Sequence, residues 1–383
     1  MVTRLERFQG ALIGTRIGDS MGLPWETMTP KAIRKITGPE GITTFVSPQQ
    51  RSDAPAWARK LASLKPGDHS DDWQMTRAGA KSLIRCRELN LEDLARAYID
   101  EMNACHLGWG GTTKHGLREI ERWFKSSGRE GRRPGDFCQP SLNPKPGTGA
   151  GNGVAMRIAP IGLWWSWIFW VRDNTPLLAG HFSKEVWEVG GLTHPHPLAS
   201  FGAHIIATTI ARLASQDGPP IEGRDLLRMC GDIGMRDLLG MEVGFTPEVG
   251  FVPMEYPLAR TSIFYRFMRV VLGQAFGSSD EDPVTHPGTS SYVMDSVPFA
   301  ITTFLRHPTD FRAALKEAVE AGGDTDTNAA IVGSLVGANV GIEGIPQEWR
   351  TFREDFNEAT ELGIGLWETV QATIAANRNK ENQ

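Results

Sequence analysis

Apolar residues recur along this chain at helical spacing. Phe311, Leu315, Ala318 and Val319 fall at i, i+4, i+7 and i+8, and Gly322 and Gly323 then break the pattern, which predicts an amphipathic helix with a glycine stop. Leu83, Ile84 and Leu91 lie in comparable stretches, and Leu226, Leu227, Met229, Leu238 and Leu239 mark another. Period-2 alternation is scarce; Ile42 to Val46 is the best strand candidate, and it is short. The most apolar run, Ile158 to Val171, is broken by Pro160 and Gly162. At about 14 residues it falls short of the ~20 that cross a bilayer, so it predicts a buried core helix. The whole pattern predicts an all-α protein with a dozen or more helices.

Two segments carry glycine at every fourth position: Gly10, Gly14, Gly18 and Gly22, then Gly333, Gly337 and Gly341. Residues i and i+4 share a helix face. Each glycine there costs about 1 kcal/mol against alanine, so a compensating gain is needed, and close approach of another helix backbone supplies one. Long Pro-, Gly- and Ser-rich loops separate the helices at Ser47 to Pro55, Ser126 to Gly153, Gly240 to Pro257 and Gly277 to Ser291. No linker splits the chain and no repeat is present, so residues 1–383 read as one domain.

Composition narrows the function. Of 383 residues 40% are hydrophobic and 22% charged, which fits a globular protein, and the net charge of -5 provides no basic field for nucleic acid. Cys86, Cys105, Cys138 and Cys230 form no CxxC pair, which argues against a zinc knuckle and fits a reducing compartment. The first residues, MVTRLERFQG, lack the apolar core of a secretory signal. A cytoplasmic protein with no membrane or nucleic-acid partner is expected.

Five constellations could carry chemistry. His69-Ser70-Asp71-Asp72 precedes a helix near Trp73; Ser and Asp there can simply cap free amides, or gather as ligands. Gly322-Gly323-Asp324-Thr325-Asp326-Thr327-Asn328 places hard oxygen groups in a glycine turn before an apolar helix, which suits Mg²⁺ or an elaborate N-cap. It lacks the 12-residue loop and terminal Glu of an EF-hand. Gly147-Thr148-Gly149-Ala150-Gly151-Asn152-Gly153 offers free amides to an anion or is only a flexible turn. Thr193-His194-Pro195-His196-Pro197 reads as a ligand-contacting or structural segment rather than a metal site; Gly18-Asp19 is followed by Glu26, and a lone Glu after a turn is normally a solvated charge.

Taken in order, these motifs resemble the ADP-ribosylglycohydrolase family, which includes the enzyme that reactivates ADP-ribosylated dinitrogenase reductase. The matching segments are Gly-Ala-Leu-Ile-Gly-Thr-Arg-Ile-Gly-Asp from Gly10, Ser-Asp-Asp from Ser70, Gly-Asn-Gly-Val-Ala-Met-Arg from Gly151, Thr-His from Thr193 and Gly-Gly-Asp-Thr-Asp-Thr-Asn from Gly322, spanning roughly residues 8 to 350. The resemblance implies a compact orthogonal all-α fold with a central dinuclear metal cleft. It implies two divalent ions, Mg²⁺ first and Mn²⁺ as the alternative. By motif match, Ser70, Asp71 and Asp72 hold one side and Asp324, Asp326 and Thr327 the other. Gly149, Gly151, Asn152 and Gly153 would hold the diphosphate of ADP-ribose, and His194 would contact the ligand. Glu26, Asp72 and Asp326 would be the catalytic carboxylates, with Glu26 or Asp326 activating the water.

The implied reaction is hydrolysis of the glycosidic bond joining ADP-ribose to a protein side chain or small molecule, through an oxocarbenium-like state. The partner is then an ADP-ribosylated protein or an ADP-ribose-like metabolite. Two other readings stay open: a hydrolase of another N-ribosyl or nucleotide-like metabolite, and a non-catalytic binding or structural member. One departure bears on specificity: Trp73 follows the Asp-Asp pair where Thr or Ser is common in the family. Arg129, Arg132 and Arg133 form a basic loop that reads as solvated charge or a phosphate contact, and Trp164, Trp165, Trp167 and Trp170 read as core.

Overall fold

A computed structural model describes residues 1–47, 63–105, 107–126, 149–169, 176–232, 243–246, 250–253 and 288–381. The helices are α1 (Arg4–Gly22), α2 (Pro30–Thr37), α3 (Asp71–Cys86), α4 (Leu91–Ala104), α5 (Gly111–Lys125), α6 (Ala159–Trp165), α7 (Pro176–Gly191), α8 (Pro197–Ala214), α9 (Gly223–Asp232), α10 (Val293–Arg306), α11 (Phe311–Glu320), α12 (Thr325–Val340), α13 (Gln347–Arg350) and α14 (Asn357–Glu381). The described residues are all-α apart from an antiparallel ribbon of β1 (Val243–Thr246) and β2 (Gly250–Pro253). That hairpin falls inside a stretch read from sequence as loop. No helix among the described residues is long and apolar enough to cross a membrane.

The glycine stripes explain the centre of the fold. α1 and α12 run antiparallel in backbone contact: a Cβ on Gly10 would meet the Gly337 carbonyl oxygen at 2.2 Å, on Gly14 that of Gly333 at 2.1 Å, and on Gly18 that of Ala329 at 2.1 Å. Both helices are wholly or nearly wholly buried, and both have almost no amphipathic bias, as core helices do. The two runs of glycine, more than 300 residues apart, are each other's partners. Thr3 and Glu6 form a capping box at the start of α1. At the same end of the pair, buried Arg7 donates to the Ala338 and Asn339 carbonyl oxygens (3.1 and 2.5 Å) and so satisfies the C-terminus of α12.

Phe311, Leu315, Ala318 and Val319 all face the core from α11, and Gly322 and Gly323 end the pattern with φ of +70° and +80°. The segment Ile42 to Val46 is not a strand; Ile42 and Phe45 are buried as irregular chain, with Phe45 against Phe352 and Phe356. An extended segment becomes a strand only with a neighbour to pair with, and none is offered among the described residues. The apolar run from Ile158 gives the short helix α6 and then a 3₁₀ turn over Ser166–Phe169, with Trp164 and Trp165 buried. Leu238, Leu239, Trp170, Arg129, Arg132, Arg133, Gly147 and Thr148 lie outside the described residues, as does most of the loop from Ser47 to Pro55.

Candidate metal and ligand site

The tight α1–α12 pair carries acidic groups at one end. Asp19 lies on α1, Glu26 follows a 3₁₀ turn over Leu23–Trp25, and Asp324 and Asp326 open α12. Helix α3 delivers Asp71 and Asp72 to the same place. Two groups of three carboxylates result, each with its oxygens within 4.8 Å of one another: Asp19, Asp72 and Asp326, and Glu26, Asp324 and Asp326. Asp326 belongs to both.

Six carboxylates this close repel one another, and burial removes water that would screen them. Burial foremost, then Asp324, pushes the Glu26 pKa up to about 9. Burial and Asp19 push Asp71 up to about 7. Asp72 and Asp326 are driven well above the carboxylate range by burial first and by their acidic neighbours next. Among the described residues none of the six has an ion pair with Lys or Arg. Two buried oxygens, Asp72 Oδ1 and Glu26 Oε2, have no hydrogen-bond partner. Unpaired buried acceptors in an all-oxygen, anionic set fit a hard divalent cation such as Mg²⁺ or Mn²⁺.

Each acid has a local reason for its position. Ser70 is the N-cap of α3; its hydroxyl accepts from the Asp72 N–H (3.2 Å) and donates to Asp72 Oδ2 (2.8 Å). Capping and gathering of acids therefore coexist at this turn. Asp19 accepts from the main-chain N–H groups of Ser70 (2.9 Å) and Trp73 (2.9 Å), locking α3 onto α1. Asp71 is buried outside both groups of three, against Gly108, where φ is +80° and a Cβ would lie 2.5 Å from Asp71 Oδ1. Asp324 occupies the N-cap position of α12 but its side chain caps nothing; it accepts instead from Asn152 Nδ2 at 2.7 Å. The Thr327 hydroxyl donates to Asp72 Oδ2 at 3.3 Å, tying α12 to α3.

The glycine loop lies beside this cluster. Gly149 has φ +75°, Gly151 pairs with Tyr292 in an isolated antiparallel bridge, and Asn152 is buried with its N–H on the Ser291 carbonyl (2.9 Å). Gly153 gives way to the His194 ring, since a Cβ there would sit 2.6 Å from Cε1. Arg157 donates to the Thr193 hydroxyl (2.6 Å) and to the Gly153 carbonyl (2.6 Å), and Thr193 Oγ1 lies 2.8 Å from His194 Nδ1. A tautomer with the ring proton on Nε2 lets the Thr193 hydroxyl, whose oxygen accepts from Arg157, donate to Nδ1. Burial and the Arg157 charge push the His194 pKa down to about 3, so the ring is neutral.

Of the residues singled out from sequence, Glu26, Asp72, Asp324 and Asp326 converge within the two groups, with Ser70 and Thr327 hydrogen-bonded to Asp72 and Asp71 buried nearby. Gly149, Gly151, Asn152, Gly153 and His194 form one adjoining wall. The indole of Trp73, expected near the cations, is 1% exposed and part of the core, while its main chain serves Asp19. The sequence reading did not count Asp19 among the ligands, nor Arg157 and Thr193 among the residues that orient the histidine. The signal for Asp19 was its place in the glycine stripe, directly after Gly18.

A family model described as ADP-ribosylglycohydrolase matches residues 1–376. Curated relatives include the ADP-ribosylhydrolase ARH3 of Homo sapiens, 27% identical over 380 residues, covering 96% of this chain and 94% of its own. The ADP-ribosylhydrolase ARH3 of Mus musculus is 26% identical over 378 residues, with 96% and 92% covered. The ADP-ribosyl-[dinitrogen reductase] glycohydrolase of Rhodospirillum rubrum is 24% identical over 347 residues, with 90% and 89% covered. A solved structure, an ADP-ribosylglycohydrolase-related protein complex, superposes with a TM-score of 0.58 at 21% identity over 96% of this chain and 99% of its own, a likeness of fold.

Proposed function

The chain belongs to the ADP-ribosylglycohydrolase family, and from that premise we propose that it hydrolyses the glycosidic bond between ADP-ribose and a protein side chain or small molecule, with two divalent cations held by Asp19, Glu26, Asp72, Asp324 and Asp326. One observation carries the reading: five acids from three distant parts of the sequence form two carboxylate triads sharing Asp326, with two buried oxygens unpartnered.

Bound there, Mg²⁺ or Mn²⁺ would neutralise the acids, orient ribose hydroxyls and lower the pKa of a water. The remaining roles fall to the chain. Gly149 to Gly153 presents main-chain amides and a bare backbone on which a diphosphate can rest. Neutral His194, oriented through Arg157 and Thr193, offers Nε2–H as a donor to the ligand without adding charge. Glu26 is half-buried with Oε2 unpartnered, so once cations have displaced its proton that oxygen is free to accept one from a water. The water oxygen bonds to the anomeric carbon as Glu26 takes its proton, and the departing nitrogen or oxygen leaves with the bonding pair and takes up a proton from solvent. The surrounding carboxylates stabilise the cationic character that develops on the ribose.

The test is release of free ADP-ribose from mono-ADP-ribosylated arginine and serine peptides, with Mg²⁺, with Mn²⁺ and with a chelator. Release that depends on the cation supports the proposal and names the linkage. No release from either peptide by protein whose melting temperature responds to Mg²⁺ would remove arginine- and serine-linked ADP-ribose as substrates.

A further inference from the structure

We propose that the segment Thr289 to Val293 is a strap that couples the carboxylate cluster to the glycine loop, and that Asn328 is the positioning residue that anchors it. The inference rests on the cation and diphosphate sites proposed above.

The strap is pinned at both ends. The Thr289 carbonyl oxygen accepts twice, from the Asp324 N–H (2.8 Å) and from Asn328 Nδ2 (3.0 Å), which uses both its lone pairs. Two residues on, the Ser291 carbonyl accepts from the Asn152 N–H (2.9 Å), and the Val293 N–H donates to the Ala150 carbonyl (3.1 Å). Asn152 then closes the ring, because its Nδ2 donates to Asp324 Oδ2 (2.7 Å). Asp324 is thus held through its main chain by one end of the strap and through its carboxylate by the loop at the other end. Contact between the strap and the turn is tight: Gly323, at φ +80°, leaves no room for a Cβ, which would lie 2.5 Å from the Thr289 carbonyl oxygen.

Asn328 is 0% exposed and its Oδ1 has no partner. An unpaired buried amide oxygen is unfavourable, and an apolar residue would avoid it. Such a residue would also leave the Thr289 carbonyl held by the Asp324 N–H alone. The geometry gives the side chain one contact, the one that fixes Thr289. A displacement of Asp324 when a cation is taken up is then passed to Asn152 by two routes, its side chain and the strap. Anion binding on the loop is passed back the same way, since such coupling is reciprocal.

The experiment is residue-resolved hydrogen exchange on the full chain, with and without Mg²⁺ and without nucleotide, for the wild type, Asn328→Leu and Asn328→Asp. Both substitutions remove the donor; leucine also removes the orphaned oxygen, so that variant should fold even if the aspartate variant does not. In the wild type Mg²⁺ should slow exchange of the Asn152 and Val293 N–H groups. In the variants that slowing should shrink by about fivefold, the equivalent of one buried hydrogen bond. Slowing at the Trp73 N–H, which rests on Asp19 Oδ2, should persist and shows that the cation still binds. Equal slowing at Asn152 in all three proteins overturns the strap. So does a wild type in which Trp73 responds to Mg²⁺ and Asn152 and Val293 do not. ADP-ribose release by that same wild type would keep the proposed function while the strap falls; absence of release with no response at any amide would remove both.

Discussion

Adding one methyl group at Gly18 should damage both the fold and the site. The Cβ of Gly18→Ala would lie 2.1 Å from the Ala329 carbonyl oxygen, 2.4 Å from its carbon and 2.7 Å from the Ala330 nitrogen. Restoring an ordinary contact of 3.4 Å means moving α1 and α12 apart by about 1.3 Å, because the atoms struck are backbone and cannot swing aside. Overpacking of this kind costs about 1–3 kcal/mol, and the upper end applies to a rigid obstacle. Alanine returns about 1 kcal/mol through its better helix propensity. A net loss of about 2 kcal/mol follows, a fall in melting temperature of several degrees. The next residue is Asp19, and Asp326 stands across the same interface, so their triad with Asp72, now within 4.8 Å, opens as the helices part. Mg²⁺ tolerates little departure from its octahedron of short metal–oxygen distances. At a hundredfold excess over Kd, cation binding adds about 2.7 kcal/mol to the wild type, and most of that should vanish in the variant. The assay is thermal melting with Mg²⁺ and with a chelator, for the wild type, Gly18→Ala and Gly10→Ala. Gly10 meets the same obstacle (2.2 Å from the Gly337 oxygen) at the end of the pair remote from the acids. It should lower the melting temperature and keep the Mg²⁺ increment. If Gly18→Ala melts as the wild type does with an undiminished Mg²⁺ increment, the helix contact does not set the site.

Asp326→Asn should abolish most turnover while circular dichroism shows an unchanged fold, since Asp326 alone belongs to both triads; wild-type rates from metal-loaded protein would refute its shared role. Glu26→Gln should raise the melting temperature of the chelator-treated protein near neutral pH, by removing a buried carboxyl that must take up a proton on folding, and cut turnover by about 10²–10⁴-fold if Glu26 is the base; an undiminished rate would assign the base elsewhere. The metal-free protein should lose stability as pH rises. Glu26 and Asp71 hold protons more tightly when folded, with pKa values raised from 4.5 to about 9 and from 3.8 to about 7. Their contribution is complete below the unfolded values and disappears as pH passes the folded ones. Protons compete with the cation, so the Mg²⁺ increment in melting temperature should grow from about pH 6 to about pH 9; an increment independent of pH would contradict carboxylate ligation.

Much of this was legible in the sequence because the information was local. Helix α11 could be read from four apolar positions and two glycines. The acids of Ser70-Asp71-Asp72 and of the Asp324 turn announced themselves by crowding, which a chain permits only where something holds the charge. The glycine stripes foretold close helix contact but not the identity of the partner, since spacing fixes a face and says nothing about what lies opposite. Asp19 was underrated for the same reason: a lone acid in a helix looks solvated until Ser70 and Trp73 are brought to it from 51 and 54 residues away. Arg157 and Thr193 act on His194 through hydrogen bonds that join separate segments, and no periodicity records those. The expected strand at Ile42 to Val46 failed because alternation describes which side chains are buried, whereas a strand also requires a paired backbone.

The partnership of α1 and α12 also sets a timetable. About 300 residues separate the end of one from the start of the other, and a ribosome adding roughly 5–20 residues per second needs about 15–60 s to cover that interval. Throughout it, α1 has emerged with a glycine face that nothing covers, and Asp19 has no acids to join. Two of the three segments that supply the acids leave the ribosome early; the third comes late. A nascent chain therefore gains no affinity for the cation until it is nearly finished, and a chain arrested before Thr325 never does. In the cell, premature termination would yield a polypeptide with an unpaired helix face for chaperones and proteases to recognise, rather than a weakened enzyme.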